Sequence, residues 1–115
     1  MQYMLLIYED EAQWARLSPA EQQASIGRHG AFAGRLREEG RLVAGDPLHP
    51  SGTATCVRNS DDEVLIIDGP YAETKEQLAG YYIISATNLD QALADAARVP
   101  MAVVGLVEVR PLLAL

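Results

Sequence analysis

Tyr3-Met4-Leu5-Leu6-Ile7-Tyr8 carries an apolar or aromatic side chain at every position of a run of strand length. Successive side chains of a strand point to opposite faces of its sheet, so both faces of this strand require burial. Val64-Leu65-Ile66-Ile67 repeats the pattern. A small domain covers one sheet face with its own helices and leaves the other bare. The patch exceeds what monomers tolerate, and the simplest remedy is a second copy of the chain packed face to face.

Beyond this strand, Glu9 to Leu17 reads as polar and irregular. Ser18-Pro19-Ala20-Glu21 then combines an N-cap serine, a proline in the first turn and the glutamate of a capping box. The helix it opens runs to Glu39 and stops at Gly40, because a left-handed residue after a helix costs glycine least. Ser25, His29, Phe32 and Leu36 fall on one stripe of that helix, which turns His29 inward. Arg41 to Ala44 forms a second strand, ended by Gly45-Asp46-Pro47 and a loop through Gly52. Thr53 to Arg58 and Glu63 to Ile67 read as a hairpin about Asn59-Ser60-Asp61-Asp62. A polar loop from Asp68 to Gly80 leads to the strand Tyr81 to Ser85. Asn88 and Gln91 form a second capping box, opening a helix that turns Leu89, Leu93, Ala96 and Val99 inward and ends before Pro100. Val103 to Val109 is the last strand.

Strand-helix-strand at each end with a hairpin between predicts an α+β fold: a ferredoxin-like two-layer sandwich, with two helices on one face of an antiparallel sheet. At 115 residues the chain makes a single domain, spanning residues 1–115. A net charge of -7 with one lysine disfavours nucleic acid, whose binders need a basic footprint, and disfavours acidic membrane surfaces. The first ten residues lack a basic stretch before the apolar one and turn acidic early, so a cytoplasmic location is expected. The sole cysteine, Cys56, agrees with a reducing compartment and reads as a small core side chain.

Asp68-Gly69-Pro70-Tyr71-Ala72-Glu73-Thr74-Lys75-Glu76-Gln77-Leu78, followed by Gly80-Tyr81-Tyr82, resembles the DGPF group of the YCII-related superfamily. The opening strand, His29, Gly40-Arg41-Leu42, Leu89-Asp90-Gln91-Ala92-Leu93 and Val107-Glu108-Val109-Arg110-Pro111 extend the likeness along most of the chain. Tyr71 stands where that group has phenylalanine, and Ala79 where glycine is common. The resemblance implies a dimeric α+β barrel built from the ferredoxin-like unit. It also implies a catalytic His/Asp pair, as suggested for relatives, one class of which acts on chlorinated muconolactones.

His29 is the first candidate for chemistry, since an inward imidazole titrates near neutral pH. Asp68 follows an apolar strand at a loop entrance and is the candidate to orient it, although Asp-Gly-Pro is equally turn chemistry. Tyr71, Glu73, Lys75 and Tyr82 are the candidate ligand-binding residues, with Lys75 suited to a carboxylate. Asp46 is an alternative partner for His29, and His49 is expected in an exposed loop. His29, His49 and Cys56 lack metal-site spacing, and no Walker, Rossmann or nucleophile-elbow motif occurs, so neither metal nor cofactor is expected. Two readings follow. One is a cofactor-independent enzyme that abstracts a proton, isomerises or eliminates on a small polar or carboxylate substrate. The other is a non-catalytic dimeric module that binds a ligand or a regulatory partner.

Overall fold

In the computed structural model, which describes residues 1–115, the apolar N-terminal run is the central strand β1 (Gln2–Glu9). It lies between β5 (Gln77–Ser85) and β6 (Gly105–Pro111), and β2 (Leu42–Pro47) completes the sheet on the far side of β5. Every neighbouring pair in this order, β2-β5-β1-β6, is antiparallel, as in a ferredoxin-like fold. Tyr3, Leu5 and Ile7 of β1 and Tyr82 and Ile84 of β5 are buried on one face. They share a single core with Phe32 and Leu36 of α2 (Pro19–Glu38) and Ala92 of α3 (Leu89–Ala96). On the opposite face Met4, Leu6, Tyr8 and Ile83 stay half-buried and Leu106 is exposed, with nothing packed over them.

The ends of α2 follow the sequence closely. Ser18 Oγ accepts from the Glu21 N–H at 3.1 Å, and the Glu21 carboxylate accepts from the Ser18 N–H at 3.0 Å, a reciprocal capping box. At the other end Gly40 has φ +70°, and the N–H groups of Gly40 and Arg41 donate back to Arg37 and Leu36 at 3.0 and 2.9 Å. Those two bonds satisfy carbonyls that the helix end would otherwise orphan.

Two strand ends shift from the sequence reading: β2 runs on through the Gly45-Asp46-Pro47 expected to end it, because these residues pair with Tyr82, Tyr81 and Gly80, and β6 starts at Gly105 rather than Val103. Four larger features also depart from it. Residues Glu11–Arg16 form a short helix, α1, capped by Asp10, whose carboxylate accepts from the Gln13 N–H at 3.1 Å. The strand β5 begins at Gln77 rather than Tyr81, because Gln77 and Leu78 pair with Glu9 and Tyr8 across a bulge. The hairpin β3 (Thr55–Ser60) and β4 (Glu63–Asp68) does not join the main sheet, since its strands pair only with each other. It carries Val57, Val64, Leu65, Ile66 and Ile67 exposed. Cys56, expected in the core, is only partly buried there, and its thiol donates to the Gly69 carbonyl at 3.3 Å.

The fourth departure is the rotation of α3, which buries Ala92 and Asp95 and leaves Leu89 and Leu93 about half exposed, while Ala96 and, beyond the helix, Val99 face the core as expected. The cause is an ion pair invisible to hydrophobic periodicity. The Asp95 carboxylate accepts from the Arg41 guanidinium and faces Arg35 at 4.0 Å. Arg41 also donates to the Ser85 carbonyl and to Glu39, both at 3.0 Å. This cluster ties α3 to the α2 C-terminus and the sheet. Replacing Asp95 with alanine leaves two cations facing each other without their shared anion, so Asp95→Ala should cost about 3 kcal/mol. Thermal unfolding should show the midpoint falling by roughly 10–20 °C.

Candidate functional site

A cavity of about 810 Å³ opens at one end of the sheet, where β1 and β2 finish and β5 begins. Sheet residues Ile7 and Tyr82 form its floor and α2 residues Ser25, Ile26, His29 and Ala33 one wall. The rim comes from α1, through Glu11, Ala12 and Trp14, and from the segment Leu48 to Pro50. The short helix is fastened in place as a plug. Its Glu11 carboxylate accepts from the Ser51 N–H at 2.6 Å and the Ser51 hydroxyl at 2.7 Å, while the Gln22 amide donates to the Trp14 carbonyl at 3.0 Å.

On the cavity wall the Tyr82 hydroxyl lies 2.8 Å from His29 Nδ1. The two rings are nearly parallel, with centroids 6.1 Å apart, and Phe32 packs against Tyr82 at 5.1 Å. Gly45 makes room for this arrangement: a Cβ there would come within 2.5 Å of the Tyr82 ring. Burial pushes His29 below the ordinary imidazole value of 6.5; the Pro100 carbonyl partly opposes this and the Arg28 charge reinforces it. Burial likewise raises Tyr82 above 10.0, so both groups are neutral at pH 7. We assign the tyrosine, held protonated by burial, as donor and Nδ1 as acceptor, which leaves the ring's own proton on its other nitrogen.

The remaining ionisable groups divide by strand alternation. Glu9, in phase with Ile7 on β1, lines the cavity, and burial raises its carboxyl above 4.5. Its carboxylate has no hydrogen-bond or ion-pair partner within the chain. Asp46, the alternative partner for His29, is out of phase. Gly45 pairs with Tyr82 and Asp46 with Tyr81, so the Asp46 carboxylate accepts from the Tyr81 hydroxyl at 3.0 Å on the other side. His49 is exposed at the rim, as expected.

Asp68 is not brought to His29 within one chain. It ends β4 opposite Thr55, exposed on the projecting hairpin, and shares no hydrogen bond with the imidazole. Tyr71 is 89% exposed, and Glu73 and Lys75 are exposed beside it, none of them lining the cavity. Gly69, at φ +105°, has the unusual backbone that the Asp-Gly-Pro turn requires. Of the residues singled out from sequence, His29 and Tyr82 therefore meet, and the hairpin group stands apart. Glu9, Trp14 and Glu11 were missed, because the segment holding them reads as irregular. Asp10 with Gln13 was the available signal, an N-cap pattern with glutamine three residues on.

The fold and this site define an α+β ferredoxin-like domain with a histidine and a tyrosine joined at the wall of a cavity between helix layer and sheet. The chain belongs to the YCII-related domain family, whose model matches residues 1–115. It is similar to an uncharacterized protein of Rhizobium meliloti (strain 1021), at 38% identity over 114 residues, covering 97% of this chain and 92% of that one. No helix is long and apolar enough to cross a membrane.

The lowered His29 value has a definite sign in stability. Between that value and 6.5 the unfolded chain binds a proton that the folded chain does not. The contribution is complete above pH 6.5 and is lost as pH falls through the window below it. Urea unfolding of wild type and His29→Gln at pH 7.5 and 5.5 should show the wild type losing more stability on acidification. Tyr82→Phe removes a bond to the neutral ring, so the His29 titration followed by NMR should move upward.

Proposed function

We propose that this protein is a cofactor-independent enzyme of small-molecule chemistry in which His29 acts as general base and acid. The observation that carries the reading is the 2.8 Å bond between His29 Nδ1 and the Tyr82 hydroxyl at the wall of a large, mainly apolar cavity. With Tyr82 donating to Nδ1, the imidazole acts through the phenol: the tyrosine oxygen takes a proton from substrate as its own proton passes to Nδ1, and the reverse transfer returns a proton to the product. Abstraction beside a carbonyl, followed by isomerisation or elimination, is the chemistry within reach. The pair contributed by β5 and α2 takes the place of the His/Asp pair in this proposal. Asp68, Tyr71, Glu73 and Lys75 lie outside this cavity and would join one like it across an interface with another copy.

A second copy is part of the proposal, covering the open face around Met4, Leu6, Tyr8 and Ile83. The chain exposes 7802 Å², whereas a compact monomer of its mass exposes about 6,200 Å². The surplus of about 1,600 Å² exceeds the roughly 800 Å² that each partner buries in a stable interface. The homodimer is the assembly this surplus favours.

Proton abstraction is testable without knowing the substrate. Incubation with a panel of small ketones, lactones and enoates in D2O, read by NMR, should show exchange at carbon beside the carbonyl, slowed about 10²–10⁴-fold by His29→Gln. Exchange at the background rate for every compound, or exchange indifferent to His29→Gln, would sink the catalytic reading. Light scattering at micromolar concentration should give twice the chain mass, and Leu6→Asp should return it to the monomer. A wild-type monomer would refute the second copy.

A further inference from the structure

The charge of the cavity separates classes of ligand. No arginine or lysine lines it, and its charged residues are Glu9, Glu11 and Asp46. Two of these carboxylates are already engaged: Glu11 with Ser51, and Asp46 with the Tyr81 hydroxyl. Glu9 alone is left free on the inner face, half-buried among apolar neighbours. A carboxylate drawn partly out of water without a partner is a cost that a cationic group offsets. Lys75, which suggested a carboxylate ligand, lies on an exposed loop away from the cavity. Arg28, the basic side chain whose charge reaches His29, is exposed on α2 and outside the lining. The imidazole of His29 adds no charge at neutral pH. The same cavity is lined by aromatic and aliphatic side chains, Trp14, Tyr82 and Ile26 among them. The faces of aromatic rings attract cations as well as apolar groups.

We infer that the cavity takes an amphipathic cation, an amine with an aromatic or branched aliphatic body, its ammonium group on Glu9 and its body against Trp14, Ile26 and Tyr82. This deepens the reading given above, and rests on it for the place of the site but not for the chemistry of His29.

Trp14 is the sole tryptophan of the chain and stands at the cavity rim, so its fluorescence reports occupancy directly. The probes are 2-phenylethylamine, 2-phenylethanol and 3-phenylpropanoate, of similar body and different charge, with calorimetry as the second readout. The amine should bind about tenfold more tightly than the alcohol, with the carboxylate weakest, and added salt should weaken the amine alone. Glu9→Gln should bring the amine down to the level of the alcohol, while His29→Gln should preserve the amine preference. An alcohol or carboxylate that matches the amine, a preference that survives Glu9→Gln, or no binding of any probe by either readout would overturn the inference. Loss of proton exchange in D2O with the amine preference intact would count against His29 as base and not against the ligand class.

Discussion

The phase of β5 against its neighbours governs this molecule. Tyr82 points to the helices and Tyr81 away from them, and a slip of one residue would exchange the two. That phase puts the Tyr82 hydroxyl on His29 and sends Asp46 to the far side with Tyr81. It also aligns Glu9 with Ile7 inside, and Met4, Leu6 and Ile83 on the uncovered face. Cavity and open face thus draw on opposite sides of the same strands, with Asp46 and Tyr81 bordering the cavity at the end of the sheet. Gly45 secures the choice, because a side chain there would occupy the space of the Tyr82 ring.

Polar contacts across the sequence finish what the strands begin. The Asp95 cluster sets the rotation of α3, and the Glu11 contacts with Ser51 hold the rim of the cavity closed against the segment after β2. At the same end Asp10 N–H donates to the Val104 carbonyl at 2.9 Å, and the Gln13 side chain accepts from the Val104 N–H at 3.1 Å. The short α1 helix is therefore held by its neighbours rather than by its own length. Six residues are too few for a helix to persist alone in water.

That difference explains what the sequence made legible. Local grammar placed β1, both ends of α2, the hairpin and the inward stripe of Ser25, Phe32 and Leu36, and it turned His29 toward the sheet. The antiparallel α+β order followed from those elements. What escaped depends on residues distant in the chain: Arg41 pulling Asp95 inward, Gln77 recruited into β5 by Glu9, and α1 stabilised through Gln22, Ser51 and Val104. Tyr82 was legible as a site residue, but its bond to His29 required the register of β2 and β5. Asp68 illustrates the opposite limit, since a strand end that looks poised over a cleft belongs to a hairpin that leaves the sheet.

The hairpin also divides the chain into parts of unequal persistence. Its strands hydrogen-bond only to each other, and its root is tied by the Gly69 N–H donating to the Ala54 carbonyl at 2.8 Å. Two strands without a covered face are marginal in water. In the free chain this arm can open and re-form as a unit of its own while β1 and β5 stay paired, so its lifetime depends on what it rests against. The motif from Asp68 to Lys75 begins at the end of that arm, so its order is not set by the core.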